Sequence, residues 1–374
     1  MRVIRCDGSP EAVRDLAVAV QAMLAGGEAV APLAPQQARP PRDPGPGQAV
    51  LSTSGSSGAH KWVRLDAAAL IASATATHTR LGGPGAWLLA LPACHVAGLQ
   101  VLVRSALAGH RPAILDLRNG FDPVAFNDAA QRLLSDAGRG YTALVPTQLG
   151  RLLDTDPQPL TGFDAVLLGG AAAPQQLLRR ARAAGVPVVT TYGMTETAGG
   201  CVYNGQPLDG IHLRLDSNGI IELAGPMLAC GYLDAPDATA EAFRSGWFRT
   251  RDRGRIDPQG RLHVLGRADD VIITGGLNVV PAEVEAVLVS LPGVAAACVV
   301  GVPDPEWGER VGAVVIPADP GHPPDPSVLR AAARRLLTGA QVPKEIMLLD
   351  ELPLRGIGKP DRAAVRTLLT AHTG

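Results

Sequence analysis

The residues from Leu51 to Lys61, Leu-Ser-Thr-Ser-Gly-Ser-Ser-Gly-Ala-His-Lys, crowd hydroxyls and glycines together and end on an amine. Glycine lets backbone N–H groups approach an anion closely, and Ser/Thr hydroxyls rotate to donate to it. A concavity of such donors suits a polyphosphate; the alternative is a Gly/Ser surface loop with no ligand. Lysine usage favours the former. Among 34 Lys plus Arg residues, the lysines are Lys61, Lys344 and Lys359. An amine closes this glycine-rich loop and another sits in Leu354-Arg-Gly-Ile-Gly-Lys359, places where arginine is no substitute. His60 before Lys61 and Trp62 after it exclude the Gly-Lys-Ser/Thr of a Walker A loop.

Further stretches carry potential chemistry. In Tyr192-Gly-Met-Thr-Glu-Thr197 the Glu196 carboxylate can hold Mg²⁺ on a triphosphate and Thr195 can bond a phosphate oxygen, although Thr-Glu-Thr also reads as a helix cap. Asp252, in Trp247-Phe-Arg-Thr-Arg-Asp252, can accept both hydroxyls of a ribose or serve as a solvated turn residue. Leu167-Leu-Gly-Gly-Ala171 ends an apolar run in small residues that admit a flat ring to the backbone. Gly266-Arg-Ala-Asp-Asp270 stands where the texture of the chain changes, the place for a hinge or a charged linker.

These residues need a scaffold, and 374 residues suffice for two or three domains. Ser9-Pro10 predicts a helix over 10–24, residues 31–48 an extended Pro-rich connector, 48–52 a strand, and Asp66 the cap of a helix to about Arg80. Strands over 86–91, 112–116, 141–145, 164–168 and 186–191 alternate with helices over 96–109, 122–135, 147–153 and 174–184, a layered α/β pattern. Short strands and turns over 211–215, 219–223 and 255–265, the last around Asp257-Pro-Gln-Gly260, form a β-rich stretch. A strand at 271–273, a helix at 282–290, strands at 296–302 and 311–316, a helix at 327–337, a strand at 346–350 and a helix at 361–370 complete a small domain. Placed after the strand at 186–191, Tyr192 to Thr197 falls where α/β sheets bind ligands.

Net charge is −1 and aromatics are 3% of residues, which points away from nucleic-acid partners. Five scattered cysteines have no paired metal or redox spacing, the N-terminus opens no signal peptide, and no apolar run approaches a membrane span. The expectation is a cytoplasmic protein without membrane insertion. A homodimer is left open.

Taken in order, these motifs resemble the adenylate-forming enzymes: acyl- and aryl-CoA synthetases, luciferases and peptide-synthetase adenylation domains. The resemblance spans roughly residues 48–367, and the joint pattern is more specific than any one motif. It implies an α/β protein: a large N-terminal domain of layered α/β sheets over 1–268, with a small β-rich subdomain at about 205–268, and a small mobile α+β C-terminal domain over 269–374. It implies that Thr53, Ser54, Gly55, Ser56, Ser57, Gly58 and Lys61 bind the β/γ-phosphates of ATP. Gly169, Gly170, Ala171, Tyr192, Gly193 and Met194 match the adenine-binding segments, with Thr195 beside them and Glu196 as the Mg²⁺ ligand. Asp252 and Arg267 match the ribose contacts, Asp269 the hinge and Lys359 the lysine of the adenylation step. Pro92-Ala-Cys-His-Val-Ala-Gly98 looks like an acyl-pocket segment with His95 as its gate, and Gly275, Gly276 and Asn278 would face coenzyme A. Two departures are His60, where the family has proline, and Arg251, where it has glycine; the first subdomain is also shorter than usual.

One branch fits better than the rest. Arg80-Leu-Gly-Gly-Pro-Gly, Cys94-His95-Val-Ala-Gly98-Leu, Thr191 to Cys201 and Arg355-Gly-Ile-Gly-Lys359 look like compact o-succinylbenzoate–CoA ligases of menaquinone biosynthesis. That acid carries two carboxylates, one of which is activated. Ala198, Gly199 and Gly200 would leave room for its ring, and Arg104 is the candidate for its idle carboxylate, the alternative being a surface arginine of an amphipathic helix. The implied reaction forms an acyl-adenylate from acid and ATP, then transfers the acyl group to CoA. Another acyl- or aryl-CoA ligase, a carrier-loading adenylation domain and a non-catalytic module on the same fold are the rivals.

Overall fold

The computed structural model describes residues 1–54, 60–136, 138–355 and 359–372. The chain divides into two compact units. One comprises Met1–Arg214, Glu222–Thr250 and Pro258–Leu262, the other Leu215–Ile221, Arg251–Asp257 and His263–Gly374.

The first unit begins with strand Arg2–Arg5 and helix Pro10–Leu24. Ser9 caps that helix, its Oγ accepting from the Ala12 N–H at 3.2 Å, and Pro10 occupies the first helical turn. Helix Ala67–Arg80 starts in the same way: Asp66 Oδ1 accepts from Ala69 N–H at 2.7 Å. A five-stranded sheet follows the order Arg2–Arg5, Val30–Leu33, Gln48–Ser54, His60–Asp66, Gly231–Tyr232. The connector expected over 31–48 is therefore partly wrong, because Val30–Leu33 is a fully buried strand. Pro32 is tolerated there because Gln48–Ser54 pairs with this strand through Val30 alone, so no ladder bond is demanded of the proline on that side.

The seven-stranded sheet runs Gln206–Pro207, Gly199–Tyr203, Val188–Met194, Ala165–Leu168, Gly140–Leu144, Ala86–Leu89, Ala113–Ile114. Its last five strands are parallel. Ala165–Leu168 and Gly140–Leu144 are buried at every position, which explains their unbroken apolar runs. Helices Pro123–Asp136, Pro146–Thr155 and Gln175–Ala183 pack Phe126, Leu149, Leu152 and Leu178 against Leu144, Val166 and Leu168 of the sheet. The strand expected over 186–191 continues to Met194 and folds back as Gly199–Tyr203.

From His212 the chain turns to short strands, His212–Leu215, Ile220–Ala224 and Phe243–Arg244, in keeping with its sequence texture. The β-structure expected over 255–265 around Asp257-Pro-Gln-Gly260 is the end of strand Trp247–Ile256 and the start of strand Leu262–Arg267, with that turn between them.

In the second unit, Leu277–Val279, Ile272–Thr274, Gly308–Pro317 and Val294–Asp304 form an antiparallel sheet, joined in parallel by Glu345–Leu348. Side chains alternate across it. Val299, Val311 and Val315 meet Val284, Leu288, Leu329 and Ala333 of helices Pro281–Ser290 and Pro326–Ala333. Cys298, Val300, Val302 and Val314 meet Val365 and Leu369 of helix Arg362–His372. Arg362 pins the start of that helix, with Nη1 2.6 Å from Glu285 Oε1 and Nε 3.1 Å from Asp270 Oδ2. Among the described residues no helix is long and apolar enough to cross a membrane.

Candidate active site

The Ser/Gly segment turns out to join two paired strands. Gln48–Ser54 and His60–Asp66 form a hairpin in which Thr53 faces Lys61 and Ser54 faces His60. Thr53 Oγ1 donates to the Lys61 carbonyl at 3.4 Å. Gly55, Ser56, Ser57 and Gly58 lie outside the described residues, and Ser54 is placed by its backbone. Lys61 Nζ lies 4.7 Å from the centroid of the Tyr232 ring. The hydroxyl of Tyr232 donates to Glu196 Oε1 at 3.0 Å. Lys61, Tyr232 and Glu196 therefore form one continuous set in the first unit.

Glu196 belongs to the single turn Thr195–Thr197, with Thr195 beside it. Thr197 closes this turn: its Oγ1 accepts from Met194 N–H at 2.9 Å and donates to Gly199 O at 2.7 Å. The Ala229 N–H donates to the Glu196 carbonyl at 2.8 Å, which fixes the turn from the Tyr232 side. Among the described residues no group of three His, Cys, Asp or Glu could hold a metal ion by itself. One carboxylate next to a hairpin expected to bind phosphate is the donor set that suits Mg²⁺, which takes one or two protein carboxylates and completes its shell with phosphate and water. The residues fit.

Gly169, Gly170 and Ala171 follow strand Ala165–Leu168 directly. A Cβ on Gly169 would fall 2.4 Å from Thr191 Oγ1, so this glycine lets the segment lie against the residue preceding Tyr192. Tyr192, Gly193 and Met194 end their strand and pair with Val202, Gly200 and Gly199. A Cβ on Gly193 would stand 2.1 Å from the Gly199 carbonyl oxygen. The hairpin itself thus requires glycine at 193.

Ala198 is buried in a left-handed conformation, φ 50° and ψ 36°. Its carbonyl accepts from Gln100 Nε2 at 2.9 Å and from Ser73 Oγ at 3.0 Å. Gln100 lies on helix Val96–Leu107, for which exposed His95 is the N-terminal flanking residue. A Cβ on Gly199 would be 3.3 Å from Gln100 Cγ and 3.9 Å from Val96 Cγ2, so the His95 end of the helix abuts Ala198–Gly200. Arg104 is farther along the helix. It is 3% exposed, its guanidinium carbon 4.9 Å from the Trp87 ring centroid, which overturns the surface-arginine alternative.

The second unit holds the other expected residues. Asp252 is half-buried in strand Trp247–Ile256, and Arg267 ends strand Leu262–Arg267. Asp269 Oδ2 is 3.0 Å from Arg267 Nη2 and 3.2 Å from Arg251 Nη1. Burial alone would raise the Asp269 pKa, but the hydrogen bonds and charges of Arg267 and Arg251 hold it below the usual carboxylate range. Arg251, a departure from the family pattern, thus grips the expected hinge residue. Gly275 and Gly276 form the turn between Ile272–Thr274 and Leu277–Val279, with Asn278 exposed. Lys359 starts strand Lys359–Pro360, paired with Arg355, and its side chain lies outside the described residues.

Sequence reasoning missed Tyr232, Gln100 and Ser73. Tyr232 had a signal: the chain contains four tyrosines, so one beside a glycine in a β-rich stretch was noteworthy. Gln100 and Ser73 had none, since buried amides and hydroxyls are recognisable only by what they bond.

A layered α/β unit with a phosphate-type hairpin beside a Glu-bearing turn, joined to a small α+β unit, defines a nucleotide-dependent, two-part enzyme class. The chain belongs to the AMP-binding enzyme family, matching it over residues 3–229 and the AMP-binding enzyme C-terminal domain over 283–359. It is 49% identical over 323 residues to the probable 2-succinylbenzoate–CoA ligase of Mycobacterium tuberculosis, covering 84% of this chain and 83% of that protein. The Bacillus subtilis o-succinylbenzoate CoA synthetase in complex with its acyl-adenylate intermediate superposes with TM-score 0.76 at 30% identity, covering 85% of this chain and 68% of that one. The same Bacillus subtilis enzyme with ATP and magnesium ion gives TM-score 0.75 at 30% identity over 84% and 69% of the two chains.

Proposed function

We propose that this protein is an AMP-forming acid–CoA ligase that converts o-succinylbenzoate, ATP and CoA into o-succinylbenzoyl-CoA, AMP and pyrophosphate through an acyl-adenylate. The Lys61–Tyr232–Glu196 set is the observation that carries it, because it joins the phosphate-type hairpin to the metal-type carboxylate. The acid is taken from the relatives in Mycobacterium tuberculosis and Bacillus subtilis.

In the first half-reaction a carboxylate attacks the α-phosphorus of ATP and expels pyrophosphate. The nucleophile is already ionised at neutral pH, so no general base is required. The protein's work is to position the reactants and to neutralise charge on phosphorus. Thr53, Ser54 and Lys61, with Gly55, Ser56, Ser57 and Gly58, hold the β/γ-phosphates; Thr195 bonds a phosphate oxygen and Glu196 orients the metal. Bound Mg²⁺ supplies positive charge to the triphosphate oxygens. Gly169, Gly170, Ala171, Tyr192, Gly193 and Met194 receive adenine, Asp252 and Arg267 the ribose, and Lys359 the α-phosphate and acyl oxygens. His95 gates the acid, Ala198, Gly199 and Gly200 seat its ring, and Arg104 holds its second carboxylate. In the second half-reaction CoA passes Gly275, Gly276 and Asn278 and attacks the adenylate. We assign residues 1–268 and 269–374 as the two functional domains, with Asp269 as the hinge and the double arginine contact as its support. We place the protein in the cytoplasm, a reading supported by its proposed use of ATP and CoA.

The test is pyrophosphate release over a panel of aromatic, dicarboxylic and fatty acids, with and without CoA. o-Succinylbenzoate should lead the panel and yield a CoA thioester. Preference for a fatty acid or benzoate would replace the acid while leaving the adenylate chemistry in place.

A further inference from the structure

Arg362 follows Lys359 by three positions, and the backbone between them is tied down. Pro360 fixes its own φ. The Asp361 N–H donates to the Pro353 carbonyl at 2.8 Å, which closes the root of the hairpin formed by Leu354–Arg355 and Lys359–Pro360. The Asp361 carboxylate accepts from the Ala363 and Ala364 N–H groups, each at 3.1 Å, and so starts helix Arg362–His372. How the backbone of Lys359 is oriented therefore depends on how Arg362 is held.

Three elements hold it. Nη1 and Nη2 meet Glu285 Oε1 and Oε2 at 2.6 and 3.2 Å, a two-pronged contact with helix Pro281–Ser290. Nη1 also donates to the Val299 carbonyl at 2.5 Å, on strand Val294–Asp304, and the Val299 N–H donates to Glu285 Oε1 at 2.8 Å. Nε lies 3.1 Å from Asp270 Oδ2, in the turn Ala268–Asp270 that also carries Asp269. Docking of the helix does not call for this cluster, because Val365 and Leu369 already bury its apolar side against Cys298, Val300 and Val314. A partly buried charge cluster is a poor source of net stability, whereas the planar guanidinium fork admits few orientations. We propose that Arg362 is a positioning residue for the adenylation step: by tying the root of the Lys359 hairpin to Glu285, Val299 and the turn of Asp269, it holds Lys359 in place for the charge that forms on the α-phosphate. This rests on the role given to Lys359 under Proposed function. Displacement of a reacting group by about 1 Å can cost about 100-fold in rate. CoA attack on the finished adenylate makes no use of the lysine, so a loosened Arg362 is felt in one half-reaction. A group that only stabilised the fold would be felt in both.

The experiment measures the two half-reactions separately on the full chain: pyrophosphate release from ATP and o-succinylbenzoate, and thioester formation from supplied o-succinylbenzoyl-adenylate and CoA. The proteins are the unmodified chain, Arg362→Gln, Arg362→Lys, Asp270→Asn, Lys359→Ala and the double variant Lys359→Ala/Arg362→Gln. For Arg362→Gln, kcat of adenylation should fall about 30-fold, with KM for ATP and for the acid within about 2-fold and thioester formation within about 3-fold. Arg362→Lys keeps the charge but not the fork, and should recover part of the loss. In the Lys359→Ala background, Arg362→Gln should change adenylation by less than about 2-fold, because a residue that acts through the lysine has nothing left to position. Parallel losses in the two half-reactions, or a full further loss in the double variant, would make Arg362 a prop of the fold and overturn the proposal. If Arg362→Gln does not fold, Asp270→Asn decides: it removes one tie and leaves Glu285, and should lower adenylation about 5-fold with thioester formation unchanged, equal effects on both counting against the proposal. If Lys359→Ala leaves adenylation intact, the reading of Lys359 fails, and the proposal with it; if Lys359→Ala abolishes adenylation while Arg362→Gln and Asp270→Asn do not lower it, the proposal alone fails.

Discussion

Tyr232 links two residues proposed to serve the triphosphate, its ring against Lys61 and its hydroxyl on Glu196. A hydrogen bond to a charged group contributes about 1.5–3 kcal/mol, so Tyr232→Phe should lower kcat/KM for adenylation by about 10-fold or more. Thioester formation from a supplied acyl-adenylate needs no triphosphate and should fall much less. Equal losses in the two assays would reduce Tyr232 to packing. His78 makes a separate prediction for stability. Its pKa drops from 6.5 to about 4 on folding, so between these values the unfolded chain carries a proton that the folded chain does not. Its contribution is complete above pH 6.5, declines as pH falls through the window and is gone below about pH 4. The shift is worth at most about 3 kcal/mol. Urea denaturation should show a smaller loss of stability between pH 7 and pH 4.5 for His78→Phe than for the unmodified protein. Identical slopes would show that His78 titrates normally.

At the scale of elements, the hairpin from Val188 to Tyr203 carries Tyr192 to Glu196 and Ala198 to Gly200 of the candidate site. Gly193 lies against the backbone of Gly199 and Gly200, where a Cβ would have no room. Gly193→Ala must open the hairpin, since no flexible side chain can yield, and should cost at least about 2 kcal/mol, visible as a drop of about 5 °C in Tm. An unchanged Tm would contradict the register. What was legible in the sequence follows physical lines. Helices with a capping side chain and an apolar stripe, such as Pro10–Leu24 and Ala67–Arg80, were recoverable to within a residue or so. So were the continuously buried parallel strands. Strand His60–Asp66 was missed although Val63 and Leu65 alternate inward, because the polar His60-Lys61 lead reads as loop. Val30–Leu33 was missed because proline signals a break unless the neighbouring strand is known. Candidate site residues were named from motifs, but their binding partners come from distant segments: Tyr232 reaches Glu196 across 36 positions and Gln100 reaches Ala198 across 98. No local pattern encodes such pairs.

The whole molecule divides its residues between two units, and the two half-reactions make different demands on them. Under the proposed assignment Lys359 meets the negative charge that gathers on the α-phosphate, and CoA transfer has no such need. Lys359→Ala should therefore abolish adenylate formation and largely spare thioester formation from supplied o-succinylbenzoyl-adenylate. Parallel loss of both would remove Lys359 from its assigned role. The central claim, that the acid is joined to CoA through a mixed anhydride with AMP, can be read from a single atom. o-Succinylbenzoate labelled with ¹⁸O in its aliphatic carboxylate should be incubated with ATP, Mg²⁺, CoA and the protein, and the nucleotide product weighed by mass spectrometry. Attack on the α-phosphorus followed by thiolysis leaves one labelled oxygen on AMP and one in the thioester carbonyl. Label in AMP, with o-succinylbenzoyl-CoA formed in equal amount, is the predicted result; unlabelled AMP, or ADP as the nucleotide product, would contradict it.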